Sequence, residues 1–172
     1  MSGLPSATII AATVGILGSA WNSGGQAMLS ILAVPGLLST TSPVHPQSIA
    51  QQWAGIYNRG KVLGPQTAVL SLLGYTYLAY QNKSQGRPWH VFVGAAVISI
   101  AIVPFTIVVM NPTNQALLQA AEGANNLGSE AVSQLLLKWK DLNLMRSFFP
   151  LAGAALGFYG LVAKMRWTVG GL

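Results

Sequence analysis

The sequence predicts an all-α membrane protein built as a bundle of four transmembrane helices. Charged residues make up only 7% of the 172 residues and hydrophobic residues 52%, whereas an ordinary soluble domain has about 25% charged residues. Four apolar segments each reach the ~20 residues that a helix needs to cross the hydrocarbon core. The cations lie at the ends of these segments, as expected where positively charged loops orient the helices.

The four helices are predicted to form a single transmembrane domain over residues 1–172, with bounds of about 7–32, 49–80, 89–110 and 130–163. The third helix is expected to stop at Asn111-Pro112, because proline disrupts a helix interior. Pro104 is expected to kink the same helix. The fourth helix begins as an amphipathic segment, Glu130 to Lys140. Turn-forming residues connect the helices at 39–47, 81–87 and 120–129.

Charge placement predicts the orientation of the helices. Four crossings put both termini on one side, together with Lys83, Arg87, Lys164 and Arg166. The positive-inside rule makes that side cytosolic, and we expect the protein in the endoplasmic reticulum or another endomembrane. No Lys or Arg precedes the first apolar run, so we interpret this run as a retained helix and not a cleaved signal peptide.

The composition argues against most cofactor chemistry. The chain has no cysteine, three acidic residues and two histidines, and the topology places His45 and His90 on opposite sides of about 30 Å of hydrocarbon. The sequence therefore predicts neither a metal site nor any other cofactor. The formal charge of +6 does not predict nucleic-acid binding, because the cations form no hydrophilic stripe.

Polar residues recur on one face of each predicted helix. From the first helix to the fourth, these faces comprise Ser19, Asn22, Gln26 and Ser30; Trp53, Tyr57 and Lys61; Thr106, Met110 and Thr113 or Asn114; and Trp139, Asn143 and Arg146. All of them lie toward the non-cytosolic side, and the spacings are those of a helical face. We therefore predict one pocket.

Several of these residues have a second interpretation. The serines on the first helix also suit close helix packing. Arg59 either lines the pocket or extends to lipid headgroups. Trp53 is interpreted as a residue of the aromatic belt at the membrane interface.

The predicted pocket is cationic and rich in amides. Lys61, Arg146 and Arg59 supply positive charge, and Tyr57 and Trp139 supply flat surfaces. Such a pocket suits a planar, hydrophobic, phenolic substrate that arrives from the bilayer, and it favours the deprotonated form of that substrate.

The order and spacing of these residues resemble the anthrone oxygenase-like membrane proteins, the fungal noranthrone monooxygenase type. The residues that carry the resemblance are Trp53-x-x-Ile56-Tyr57-x-x-Gly60-Lys61-x-x-x-Pro65, Pro104-x-Thr106, Asn111-Pro112-Thr113-Asn114-x-x-Leu117 and Trp139-x-x-x-Asn143-x-x-Arg146. Many family relatives have His where this chain has Asn143, so a histidine base at that position is not expected here.

The resemblance implies a cofactor-independent monooxygenase that converts an anthrone to an anthraquinone with O2 during polyketide secondary metabolism. The expected partners are a hydrophobic aromatic substrate, O2 and the lipid bilayer. We assign catalytic roles to Lys61, Arg146 and Asn143, with Lys61 as a proton acceptor. The expected substrate-binding residues are Asn22, Gln26, Tyr57, Arg59, Thr106, Asn114 and Trp139.

Two other functions are compatible with the same residues. A small membrane cyclase or isomerase of a polyketide or terpenoid pathway would use the pocket without O2. A non-catalytic membrane scaffold or carrier would tolerate loss of Lys61 and Arg146. Dependence on O2 separates the first alternative from an oxygenase, and the Lys61→Ala and Arg146→Ala variants separate the second.

Overall fold

A computed structural model of the chain describes residues 4–39, 45–125 and 127–170, with the backbone alone for 166–170. The regular structure of these residues is entirely helical. The helices are α1 (Ser6–Met28), α2 (Val34–Leu38), α3 (Pro46–Ser84), α4 (His90–Ile100), α5 (Ile102–Phe105), α6 (Asn111–Glu122) and α7 (Ser129–Gly170), with π-helical turns at Leu29–Ala33 and Thr106–Met110.

Both π-helical turns end two residues before a proline, Pro35 in one case and Pro112 in the other. Proline has no backbone N–H, and its ring clashes with the carbonyl of the residue four positions earlier. Those residues, Ile31 and Val108, lie inside the π-helical turns. A turn that is wider by one residue relieves the clash and allows each helix to continue.

The predicted stop of the third helix at Asn111-Pro112 was wrong. Asn111 has helical dihedral angles, and α6 continues to Glu122 before Gly123 ends it with a left-handed φ of 73°. Proline is well tolerated in the first turn of a helix, because the amides there have no intrahelical partner. The α-helix is interrupted at Ala101, between α4 and α5 and three residues before Pro104.

The described residues group into two compact units. The first unit contains the chain up to Ser23, Pro65–Ile102 and the chain from Phe148 onward. The second contains Gly24–Gly64 and Val103–Ser147. Helices α1, α3 and α7 each contribute one part to the first unit and another to the second.

The first unit is packed around Tyr75, which is fully buried. Its hydroxyl donates a hydrogen bond to the carbonyl of Gly153 at 3.1 Å. Close backbone approach makes this packing possible. A Cβ atom on Gly74 would lie 2.6 Å from the carbonyl oxygen of Ala11, and one on Gly15 would lie 2.8 Å from the Tyr75 ring. The rest of this core is Ala12, Leu78, Ala79, Phe92, Ala95 and Ala96.

The second unit has a larger apolar core with two indole rings, Trp53 and Trp139. The two rings meet edge to face, with centroids 5.7 Å apart. Around them pack Val34, Ile49, Ala50, Ala54, Met110, Leu117, Ala120, Ala121, Val132 and Leu136.

Two of the described helical segments are long and apolar enough to cross a membrane, His90–Glu122 and Ser129–Met165. The second begins with Glu130 in its first turn, where a carboxylate interacts favourably with the helix dipole. The chain is thus an all-helical protein with two candidate membrane-spanning segments.

The contact at Gly74 leads to a first prediction. Gly74→Ala should lower the free energy of unfolding by about 1–3 kcal/mol, because the added methyl group is forced against the backbone of α1. Thermal unfolding of the purified protein in detergent, followed by the helical circular dichroism signal, measures the change. Gly94→Ala is the matched control, since its Cβ would lie 3.9 Å from Leu156 Cδ1, an ordinary contact. Equal stability of the two variants would contradict the packing described for α1 and α3.

Candidate functional site

The polar side chains of the second unit converge on Arg146, on the N-terminal part of α7. Its Nε donates to Gln26 Oε1 at 3.0 Å, and one terminal nitrogen donates to Thr106 Oγ1 at 2.7 Å. The other terminal nitrogen donates to Asn143 Oδ1 at 2.6 Å. All three guanidinium nitrogens are therefore held, by side chains from α1, from the second π-helical turn and from α7 itself.

Asn143 is fully buried and lies three residues before Arg146 on α7, where its side-chain oxygen accepts a hydrogen bond from the guanidinium. Its Nδ2 donates to the carbonyl oxygen of Gln26 at 2.7 Å and to Ser30 Oγ at 2.9 Å. Because both N–H groups and the oxygen of the Asn143 amide bond to protein atoms, this geometry orients Arg146 and Gln26. Asn143 thus positions the guanidinium of Arg146.

All the described hydrogen-bond partners of the Arg146 guanidinium are neutral groups. Those partners are amide and hydroxyl oxygens, and the salt bridge found in the described part of the chain joins Lys140 to Asp141 at 3.3 Å. A guanidinium has five N–H groups, so one N–H on each terminal nitrogen has no partner among the described residues. A partly buried cation without a carboxylate attracts an anionic ligand strongly, since the low local dielectric constant weakens screening.

An aromatic row leads from the core to the surface of α3. Trp53 stacks on Tyr57 with ring centroids 5.0 Å apart and an interplanar angle of 16°. Lys61 Nζ lies 5.6 Å from the centroid of the Tyr57 ring. The three residues have the i, i+4, i+8 spacing predicted for one helical face, and exposure increases along it from a fully buried Trp53 to an exposed Lys61. Tyr57 packs against the apolar core of the second unit, the unit that also contains Arg146.

Asn114 and Trp139 form a second buried polar contact in this unit. Trp139 Nε1 donates to Asn114 Oδ1 at 3.0 Å, and both side chains are buried. The contact joins α6 to α7 and holds the Trp139 ring edge-on to Trp53.

The structure brings most of the predicted site residues together in the second unit. These are Gln26, Tyr57, Lys61, Thr106, Asn114, Trp139, Asn143 and Arg146. Asn22 is buried too, but it belongs to the first unit. Arg59 and Lys61 are exposed side chains of α3.

Two residues have more central positions than the sequence indicated. The placement of Trp53 in an interfacial belt was wrong, because its side chain has no exposed surface and lies in the core. Ser30 receives a hydrogen bond from Asn143 in addition to allowing close packing. The shared helical face of Trp53 and Tyr57 was the available signal for the first. The spacing from Gln26 to Ser30 was the signal for the second.

The histidine that lies in this unit is separate from the arginine cluster. His45 lines a cavity of about 30 Å³ with Gln47, Ala120, Gly123, Asn125, Leu127 and Val132. That volume is about the share of one water molecule. No cluster of three His, Cys, Asp or Glu side chains that could hold a metal ion is found in the described residues.

Fold and site together define a helical protein with two candidate membrane-spanning segments and a cationic, aromatic, amide-lined centre. Residues 53–156 match the anthrone oxygenase family. The chain is 34% identical to noranthrone monooxygenase of Aspergillus flavus, over 90% of this chain and 74% of the relative. It is 38% identical to anthrone oxygenase AgnL2 of Paecilomyces divaricatus (90% and 96% covered) and 37% identical to anthrone oxygenase nsrD of Aspergillus novofumigatus (92% and 97%). No solved structure matches. The chain belongs to the anthrone oxygenase family.

The role of Asn143 leads to a second prediction. Asn143→Leu should lower the free energy of unfolding by at least about 2 kcal/mol, because it removes the amide that pairs with the Gln26 carbonyl, Ser30 and Arg146. Thermal unfolding in detergent measures the loss. Asn111→Leu is the control: Asn111 is exposed on α6, and such a change should stay within about 0.5 kcal/mol. A stable Asn143→Leu variant would show that this network does not hold the unit together.

Proposed function

We propose that this chain is a membrane-embedded oxygenase that converts an anthrone-type polyketide to an anthraquinone with O2 and without a cofactor. The observation that carries the proposal is the guanidinium of Arg146, held by neutral oxygens with N–H groups left for a ligand. The names of the relatives, noranthrone monooxygenase and anthrone oxygenase, support the same substrate class.

The oxidation of an anthrone begins with a step that a single positive charge can stabilise. Loss of a proton from its central methylene gives an enolate whose negative charge spreads to the oxygen of the ketone on the same ring. Arg146 stabilises that oxyanion, and it is already oriented by Gln26, Thr106 and Asn143 before the substrate binds. Donors preorganised around a developing oxyanion are usually the largest single contribution to such a reaction.

The remaining steps need no reductant. The electron-rich ring carbon forms a bond to O2 and gives a peroxide. Cleavage of its O–O bond with loss of the second methylene hydrogen releases water and leaves the quinone carbonyl. One oxygen atom enters the product and the other leaves as water, so the substrate itself supplies both pairs of electrons.

We assign the other residues according to their places in the site. Lys61, at the exposed end of the aromatic row, takes the methylene proton. Tyr57 and Trp139 provide the flat walls, and Asn114 holds Trp139. Asn143 positions Arg146. We place Arg59 at the periphery of the substrate path.

We further propose that the chain crosses the membrane four times as a single domain, with cytosolic termini, in the endoplasmic reticulum or another endomembrane. Large apolar side chains are exposed on α1 and α3 as well as on the two segments that meet the length and composition requirement. They include Ile10, Leu17, Trp21, Leu63, Leu70 and Leu73, all at least half exposed. Patches of this kind are covered by lipid or by partners, and lipid also delivers a hydrophobic substrate.

The reaction leads to a third prediction. Purified protein given an anthrone and 18O2 should form the quinone with one labelled oxygen per turnover, measured by mass spectrometry. The other labelled atom should appear in water. A cyclase or isomerase would proceed without O2. Unlabelled product, or a rate equal to that in buffer, would contradict the proposal.

The two cations lead to a fourth prediction, since they differ in burial. Arg146→Met should lower kcat/KM about 100- to 1000-fold, the usual cost of losing one oriented oxyanion donor. Lys61→Met should lower it less, about 10-fold, because water reaches this exposed end of the row and can replace Lys61 in part as the proton acceptor. Steady-state kinetics on both variants, with helical content as the check on folding, gives the ratio. Equal effects would contradict the assignment of Arg146 as the main oxyanion donor.

A further inference from the structure

Two buried polar atoms of the second unit have no hydrogen-bond partner among the described residues, the indole nitrogen of Trp53 and Asn125 Oδ1. Trp53 has no exposed surface, and its indole N–H has no hydrogen-bond acceptor among the described residues. A buried donor without an acceptor is uncommon, because removing it from water is unfavourable unless a hydrogen bond replaces the lost one. Such a group therefore indicates an acceptor that is supplied from outside the chain.

The neighbouring indole shows that the unit can satisfy such a donor. Trp139 lies edge-on to Trp53 at 5.7 Å and is also buried, yet its Nε1 donates to Asn114 Oδ1 at 3.0 Å. Two buried tryptophans in one core thus differ in one respect: only Trp139 has a protein acceptor. A general shortage of acceptors in this core does not account for the difference.

The position of Trp53 connects the unpaired donor with the proposed reaction. Trp53 stacks on Tyr57, and Tyr57 packs against the apolar core that contains Trp139. The row from Trp53 through Tyr57 to Lys61 passes from the core to the exterior. Trp53 lies at the buried end of this row and Lys61 at its exposed end.

We propose that the Trp53 indole N–H donates a hydrogen bond to a phenolic oxygen of the substrate and so selects hydroxylated anthrones over unsubstituted ones. The inference rests on the proposed function, and it names one residue that determines specificity in that reaction. In an anthrone with hydroxyl groups beside the ring carbonyl, those hydroxyl groups donate to that carbonyl and leave their own lone pairs pointing outward. These phenolic oxygens are then available acceptors for a neutral donor such as an indole. A site that contains a buried donor discriminates against a ligand without the matching acceptor, because the donor is then left unpaired.

Trp53→Phe is the test, since it keeps an aromatic ring against Tyr57 and removes only the N–H and part of the ring. Two substrates are compared, 1,8-dihydroxyanthrone and unsubstituted anthrone. The ratio of their kcat/KM values should fall about 10-fold in the variant, mainly through the KM of the hydroxylated substrate. Trp21→Phe is the control: Trp21 is exposed on α1, and this change should leave the ratio as in the wild type.

An equal loss for both substrates in Trp53→Phe would overturn the inference, because it would show a purely structural role or a trapped water as the acceptor. The proposed function would still stand in that case, as long as the wild type oxygenates either substrate. If the wild type oxygenates neither, the proposed function fails instead.

A binding measurement covers the case in which Trp53→Phe does not fold. The wild-type protein labelled with 15N at the indole nitrogens is titrated with 1,8-dihydroxyanthraquinone and with unsubstituted anthraquinone, both stable product analogues. The Trp53 indole resonance, assigned by single Trp→Phe changes at the other four tryptophans, should move downfield with the hydroxylated quinone only. The same movement with both quinones, or none with either, would overturn the inference.

Discussion

The geometry of the second unit depends on how one guanidinium is held. Arg146 binds Gln26, Thr106 and Asn143 through its three nitrogens, and each acceptor is a neutral oxygen. Neutral acceptors fix the orientation of the cation without cancelling its charge, whereas a carboxylate would do both. The positive charge therefore remains available to an anionic ligand, and the site needs little reorganisation when the ligand binds.

Proline chemistry helps to place the acceptors. Pro35 and Pro112 each follow a π-helical turn by two residues, and these turns contain Ser30 and Thr106. A π-helical turn rotates the residues that precede it relative to those that follow it, and such turns are frequent at functional sites. In this chain, the first turn lets Asn143 bond to both the Gln26 carbonyl and Ser30. The second turn begins with the hydroxyl that binds Arg146.

Much of this arrangement could be predicted from the sequence, because helical spacing alone identifies shared faces. Ser19, Asn22, Gln26 and Ser30 were grouped by spacing, and all four are buried. Spacing does not report depth, however. Lys61 shares a face with Tyr57 as expected, yet it is exposed. The Asn111-Pro112 pair is equally typical of a helix stop and of a first helical turn, and only the neighbouring π-helical turn decides between them.

The hydrogen-bond partners could not be predicted from the sequence, for a related reason. Asn143 was expected to act on the substrate, but its amide is occupied by Gln26, Ser30 and Arg146. Trp53 was placed at the membrane interface because tryptophan is common there, and its burial follows from packing against Trp139. Which polar groups are satisfied within the protein, and which are left for a ligand, depends on contacts between distant segments.

The most direct measurement of the central claim is the ionisation of a bound anthrone. The absorbance of the anthrone enolate, followed against pH under anaerobic conditions, gives the pKa of the bound ligand without turnover. The account predicts that the wild-type protein lowers this pKa by about one unit or more relative to solution, since an adjacent cation favours the ionised form, and that Arg146→Met removes most of the shift. An identical ligand pKa in the wild type and in Arg146→Met would contradict the account.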